Sequence, residues 1–174
     1  MREKWFDRTF RFDIPASRMA YLIERLRGTP ARIEERVRGL GDGDLRRRFG
    51  DTWSIQENIA HLTDLEDLHL SRLVELAARV AVLRAADVLN RRTWESNHNA
   101  RPIADVLAEF RAGRARLVDR LEAWDPARLD DAGMHPRLKM PMRVVDLAYF
   151  TAEHDDYHLA RVHELMGMIR AVPA

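Results

Sequence analysis

The spacing of apolar residues constrains this chain most. Four long stretches repeat them every three to four positions, whereas one-by-one alternation is confined to the short "WFDRTFRFDI" near the start. A helix with one apolar stripe must bury it against other stripes. Four such helices without a sheet leave an all-α helix bundle as the simplest solution. A chain of 174 residues is expected to form one domain, spanning 1–174 with its core within about 15–169.

The first predicted helix runs from about Pro15 to Leu40, and "GTP" at 28–30 is expected to bend or split it. Pro30 suits the first position of a renewed helix, with Thr29 as its cap. The second has the sharpest start: Ser54 and Glu57 form the capping box "SIQE", and Ile55, Ile59, Leu62, Leu65, Leu73 and Leu76 give a stripe running past Arg72 toward Leu83. "NRRTWESNHNARP" reads as a polar connector closed by Pro102. The third helix, about Ile103 to Trp124, carries Val106, Leu107, Phe110, Leu117, Val118 and Leu121 inward. "DPARLDDAGMHPRLKMP" reads as an irregular crossing, and the fourth helix extends from near Met142 to about Ile169.

Composition narrows the chemistry. A chain with 46% hydrophobic and 33% charged residues does not fit the disordered class. It has no cysteine, which excludes disulfides, thiolate zinc sites and a cysteine nucleophile. Any metal would be held by histidine and carboxylate. The start lacks the apolar segment of a secretory signal, and the richest apolar stretch, "LAARVAVLRAADVL", is interrupted by Arg79 and Arg84. The expectation is a cytoplasmic protein without a membrane partner. Residues 1–50 hold 13 Lys and Arg against 8 Asp and Glu, but the densest run, "LRRRF", lacks interleaved aromatics and polar base readers. It reads as a solvated helix face rather than a nucleic-acid surface.

"TAEHDDYHLARVHEL" carries three of the seven histidines. His154 and His158 are four apart, so they share one helix face with Cβ atoms about 5–6 Å apart, near enough for two imidazoles to converge on one ion. They continue the inward stripe Leu147, Thr151, His154, His158, Val162, Leu165. Buried imidazoles need partners for their ring nitrogens, which a metal or neighbouring hydrogen bonds can supply. His61, beside Leu62 and Leu65 on the second helix, can face the same interior, and bundle-core metal sites are built from side chains on facing helices. Three histidines with the remaining positions open would suit a reactive divalent ion. Glu57 is accounted for by its cap. Asp64 is either an orienting partner of an imidazole or a solvated carboxylate.

The stretches "WSIQENIAHLTDLE", "NHNARPIADVLAEF" and "MHPRLKMPMRVVDLAYFTAEHDDYHLARV" resemble, in that order, the DinB family, a damage-inducible group that includes YfiT-like metal-dependent hydrolases. The resemblance covers roughly residues 20–168. It implies a four-helix bundle with up-down-down-up connectivity and a divalent ion, nickel or zinc, held by His61, His154 and His158. It also makes a homodimer plausible. This chain departs from the family pattern in lacking a glycine after "HP" and in having Tyr157 beside His158. Tyr157 is either a proton donor to the pocket or an amphipathic packing residue. His135, in the "HP" loop, is either a turn residue or part of the pocket rim. His163, five residues after His158, is rotated to the surface, His69 is expected at a boundary, and His98 at a helix end or loop.

The function implied is metal-dependent hydrolysis of a small molecule. The resemblance also admits metal-dependent S-transfer or isomerisation using a low-molecular-weight thiol of the bacillithiol or mycothiol type. A stress-response bundle that binds metal or ligand without turnover is the third reading, because no general base or nucleophile can be assigned.

Overall fold

All four periodic stretches fold as helices: α1 (Met19–Val37), α3 (Ile55–Ala77), α5 (Ile103–Glu122) and α6 (Val144–Arg170), with short helices α2 (Asp42–Arg46) and α4 (Arg91–Glu95) in the connections. The computed structural model describes residues 3–171, so residues 1–2 and 172–174 of the expected span lie outside it. No helix among the described residues is long and apolar enough to cross a membrane.

The first helix is not split. Pro30 lies inside α1, where its missing N–H orphans the Leu26 carbonyl four residues back, and Arg114 from α5 donates to that oxygen at 3.3 Å. Thr29 is not a cap: its hydroxyl lies 3.2 Å from Arg25 O and 2.7 Å from the Asp155 carboxylate. The second helix starts as expected, with both arms of the Ser54–Glu57 box formed, but it stops at Ala77 rather than near Leu83. Arg79 adopts φ 55°, and the N–H groups of Arg79 and Val80 bond back to Leu76 O and Glu75 O. That is a Schellman stop with arginine in the usual glycine position.

Pairs of side chains fix the relative directions of the helices. Arg27 meets Glu122 and Arg111 meets Glu34, so α1 and α5 run oppositely. Asn58 meets His158 and Thr151 meets His69, so α3 and α6 also run oppositely. Gln56 bonds the carbonyls of His98 and Arg101 just before α5, while Glu66 meets Arg114 further along both helices, so α3 and α5 are parallel. A parallel pair requires a connection that returns along the bundle. Residues 78–102 make it, and the expected polar connector contains α4 and a 3-10 turn, His98–Ala100.

The crossing after α5 is not wholly irregular. Its strands β1 (Ala132–Met134) and β2 (Pro141–Arg143) pair antiparallel. Gly133 is required there, because a Cβ would lie 2.8 Å from Leu83 Cδ2 and 2.9 Å from Val80 O. The hairpin is thereby locked to the segment after α3, with Leu83 N–H on Met134 O at 3.0 Å. By contrast, the alternating start forms a 3-10 turn at Trp5–Asp7 followed by extended chain, and its Trp5 and Phe10 are buried against Phe150 of α6.

The apolar core divides in two. One cluster gathers Leu22, Leu26, Leu73, Leu117, Leu121 and Leu147, and the other Ile33, Ile55, Ile59, Phe110, Val162 and Leu165. Between them lie buried polar residues from all four long helices, among them Thr29, His61, Glu66, Arg114, His154 and Asp155. This polar layer places the site.

Candidate metal centre

His61, His154 and His158 meet on the wall shared by α3 and α6. Each offers one nitrogen, and these three atoms all lie within 4.8 Å of one another. The ring centroids are 4.6–5.3 Å apart, and all three residues are buried. The inward stripe read from the sequence is buried throughout, from Leu147 to Leu165, and His163 is exposed.

Neighbouring hydrogen bonds fix two of the tautomers. Asn58 uses its Nδ2 to donate to Trp53 O and Ser54 O, at 3.3 and 2.7 Å. Its Oδ1 must therefore accept from His158 Nδ1–H at 2.9 Å, which puts the imidazole lone pair on Nε2. Thr93 donates its hydroxyl to Asp64 at 2.8 Å and so accepts from His61 Nδ1–H at 2.9 Å. The His61 lone pair is again on Nε2. His154 has a different signature: its Nδ1 is buried with no hydrogen-bond partner. Burial pushes His61 down to about 3, reinforced by His154. It likewise pushes His154 down to about 3, with Arg114 and Arg8 adding to the effect. Both rings are neutral at pH 7, the form that ligates.

The cluster opens onto a cavity of about 590 Å³ that Trp53, Leu65, Leu68, His69, Phe150 and Tyr157 also line, within the usual range for small-molecule sites. Trp53 packs on His61 with ring centroids 4.7 Å apart. Trp5 sets its edge against His154 at 4.8 Å.

The model of the DinB superfamily matches residues 25–162. The chain belongs to the DinB superfamily. Among solved structures, it is similar to YfiT from Bacillus subtilis, described as "a probable metal-dependent hydrolase with an unusual four-helix bundle topology". The identity is 18%, 93% of each chain is covered and the TM-score is 0.74, so the likeness is one of fold. No curated protein matches.

The remaining candidates of this DinB-superfamily chain divide unevenly. Asp64 is not a solvated carboxylate. Its side chain is 6% exposed, accepts from Thr93, lies 3.0 Å from His98 Nε2 and acts on His61 through Thr93. His98 is thus buried and engaged rather than a simple loop residue, and His69 is buried on the cavity wall rather than at a boundary. His135 lines the same cavity, and its Nδ1 accepts the backbone N–H groups of Arg137 and Leu138 at 3.3 and 3.1 Å. Burial, helped by Arg72 and Arg137, lowers it to about 4. Tyr157 is half-buried on the wall, 5.3 Å from the His158 ring and 5.7 Å from Trp5. Sequence reasoning missed Asn58, Thr93 and Arg72. Asn58 carried one signal, its position three residues before His61 on the same face; Thr93 lies in a connection and carried none.

Proposed function

We propose that this protein is a divalent-metal-dependent hydrolase of small molecules, with His61, His154 and His158 as the metal ligands. The observation that carries the reading is the convergence of three buried imidazoles, one nitrogen from each lying within 4.8 Å of the others. His154 also leaves its Nδ1 buried without a hydrogen-bond partner, and a buried imidazole with unmet bonding capacity bears a desolvation cost of about 1–3 kcal/mol. The donor set fits an ion: three imidazole nitrogens, no thiolate and room on the cavity side suit zinc or nickel. A divalent ion held there supplies Lewis acidity, lowering the pKa of water toward 7 and polarising an acceptor oxygen.

The chain's own residues do the rest. Asn58 and the Thr93–Asp64 pair hold His158 and His61 in the tautomers that aim Nε2 away from those bonds. Trp5 and Trp53 cover the rings and exclude bulk water from them. Phe150, Leu65 and Leu68 give a substrate an apolar surface to lie on.

Elemental analysis together with a panel of ester, amide and thiol-conjugation assays tests this reading. Stoichiometric divalent metal with hydrolytic turnover supports it; turnover only with a thiol cosubstrate, or metal without turnover, would replace it with a transferase or a binding protein.

A further inference from the structure

His61 and Arg72 lie on one face of α3. Eleven residues make three helical turns, so the two positions are separated by about 16 Å along the axis with nearly the same orientation. Both line the same cavity, and Leu65 and Leu68, on the turns between them, give its wall an apolar surface. The far end is cationic. Arg72 is 1% exposed, yet its Nε and Nη2 both donate to a single backbone oxygen, Arg84 O, at 3.2 and 3.0 Å. Among the described residues no carboxylate pairs with it, and Glu75, whose charge reaches it, is bridged to Arg84. Burial lowers Arg72 only to about 10, so it is charged at neutral pH.

Arg137 stands at the same end. Its guanidinium lies 5.2 Å from the Phe6 ring, its Nη2 is buried without a partner, and no carboxylate among the described residues is bridged to it. The neutral His135 adds a donor, because its Nδ1 accepts two backbone N–H groups and leaves the proton on Nε2. Asp87, a carboxylate that also lines the cavity, accepts the N–H groups of Leu89 and Arg91. Two repelling guanidinium groups in a desolvated wall are costly unless an anion joins them.

We propose that Arg72 and Arg137 form an anion-binding end of the cavity that seats the carboxylate or phosphate of an elongated substrate. The apolar body of that substrate lies along Leu65 and Leu68, and its reacting end reaches the histidine cluster. The last clause rests on the hydrolase reading above; the anion site does not.

Calorimetric titration with octanoate, octyl phosphate and 1-octanol tests the site on wild-type protein and on Arg72→Met, Arg137→Met and His61→Ala. At least one anion is expected to bind tenfold or more tightly than octanol, since charge-assisted hydrogen bonds are lost with the uncharged head. The tighter of the two names the anion. Arg72→Met should weaken that anion at least tenfold and leave octanol unchanged. Arg137→Met, at a less buried position, should weaken it about fivefold or more with an unaltered thermal melt, and so keeps the test open should Arg72→Met not fold. Octanol binding as tightly as the anions, anion affinity unchanged in Arg137→Met, or no anion binding at millimolar concentration would overturn the proposal. His61→Ala should keep anion affinity within about twofold, since the two ends are three turns apart. The metal content of the same variant tests the hydrolase reading separately.

Discussion

Two buried polar clusters lie side by side on α3 and α6, and they are satisfied in opposite ways. In one, Arg114 joins all four long helices: it bonds Glu66 of α3 at 2.7 and 2.9 Å, Asp155 of α6, and Leu26 O of α1, while Thr29 also reaches Asp155. Every nitrogen of the guanidinium is engaged, and the carboxylate oxygen left over is Glu66 Oε2, buried without a partner. In the other, His61, His154 and His158 crowd imidazole nitrogens together against a cavity, and His154 Nδ1 has no partner. Asp155 and His154 are adjacent in sequence, yet one closes a structural network and the other leaves its bonding capacity unspent. Neither burial nor a single unpartnered atom therefore marks a candidate site; ligand-type nitrogens converging at a cavity do.

The comparison can be broken at either cluster. Arg114→Met leaves two carboxylates buried without a counter-charge and is expected to cost about 3–5 kcal/mol in urea unfolding, with metal per folded chain unchanged. A loss below about 1 kcal/mol would mean that the network does not bolt the bundle. His154→Leu should do the reverse. It removes an unsatisfied polar atom, so the metal-free protein should change by less than about 1 kcal/mol while metal retention collapses.

Acidity separates the clusters by sign. Burial raises Glu66 to about 7 against the opposing pull of Arg114, so the folded state holds its proton more tightly than the unfolded one. Its contribution is fully present below an unfolded value of 4.5 and is lost as pH rises through 7. His61 and His154, at about 3 when folded against 6.5 unfolded, contribute stability that is present above 6.5 and is lost as pH falls toward 3. In metal-free protein, Glu66→Gln should therefore gain on wild type as pH rises from 4.5 to 7. The His61→Leu/His154→Leu double variant should gain as pH falls below 6.5. Parallel stability curves for either variant and wild type would contradict the assignment.

The smallest effects concern the two threonines. Thr93→Val removes the acceptor that orients His61 and should weaken metal binding about tenfold in a chelator competition, with little loss of stability. Thr29→Val, beside Asp155, should cost about 1 kcal/mol and leave metal affinity unchanged. Exchanged outcomes would mean that the two clusters had been assigned the wrong roles.

The fold was largely legible because helices announce themselves locally. The period placed all four, and the Ser54–Glu57 box fixed the start of α3 to the residue. The converging histidines were legible for the same reason, since the stripe from Leu147 to Leu165 is buried as read. What escaped depends on tertiary partners. Pro30 continues a helix because Arg114, distant in sequence, takes the orphaned carbonyl. Arg79 ends α3 where a glycine would have been the signal. The hairpin at 132–143 exists through the fit of Gly133 against Leu83 rather than through β-forming residues. Likewise His69 and Arg72 became wall residues, and His98 a buried partner of Asp64, only once the return of residues 78–102 along the bundle had enclosed them.

Elemental analysis of purified protein tests the central claim most directly. Wild type should carry about one divalent ion per chain, and a triple variant at His61, His154 and His158 should carry none. A folded triple variant that retains stoichiometric metal would contradict the account.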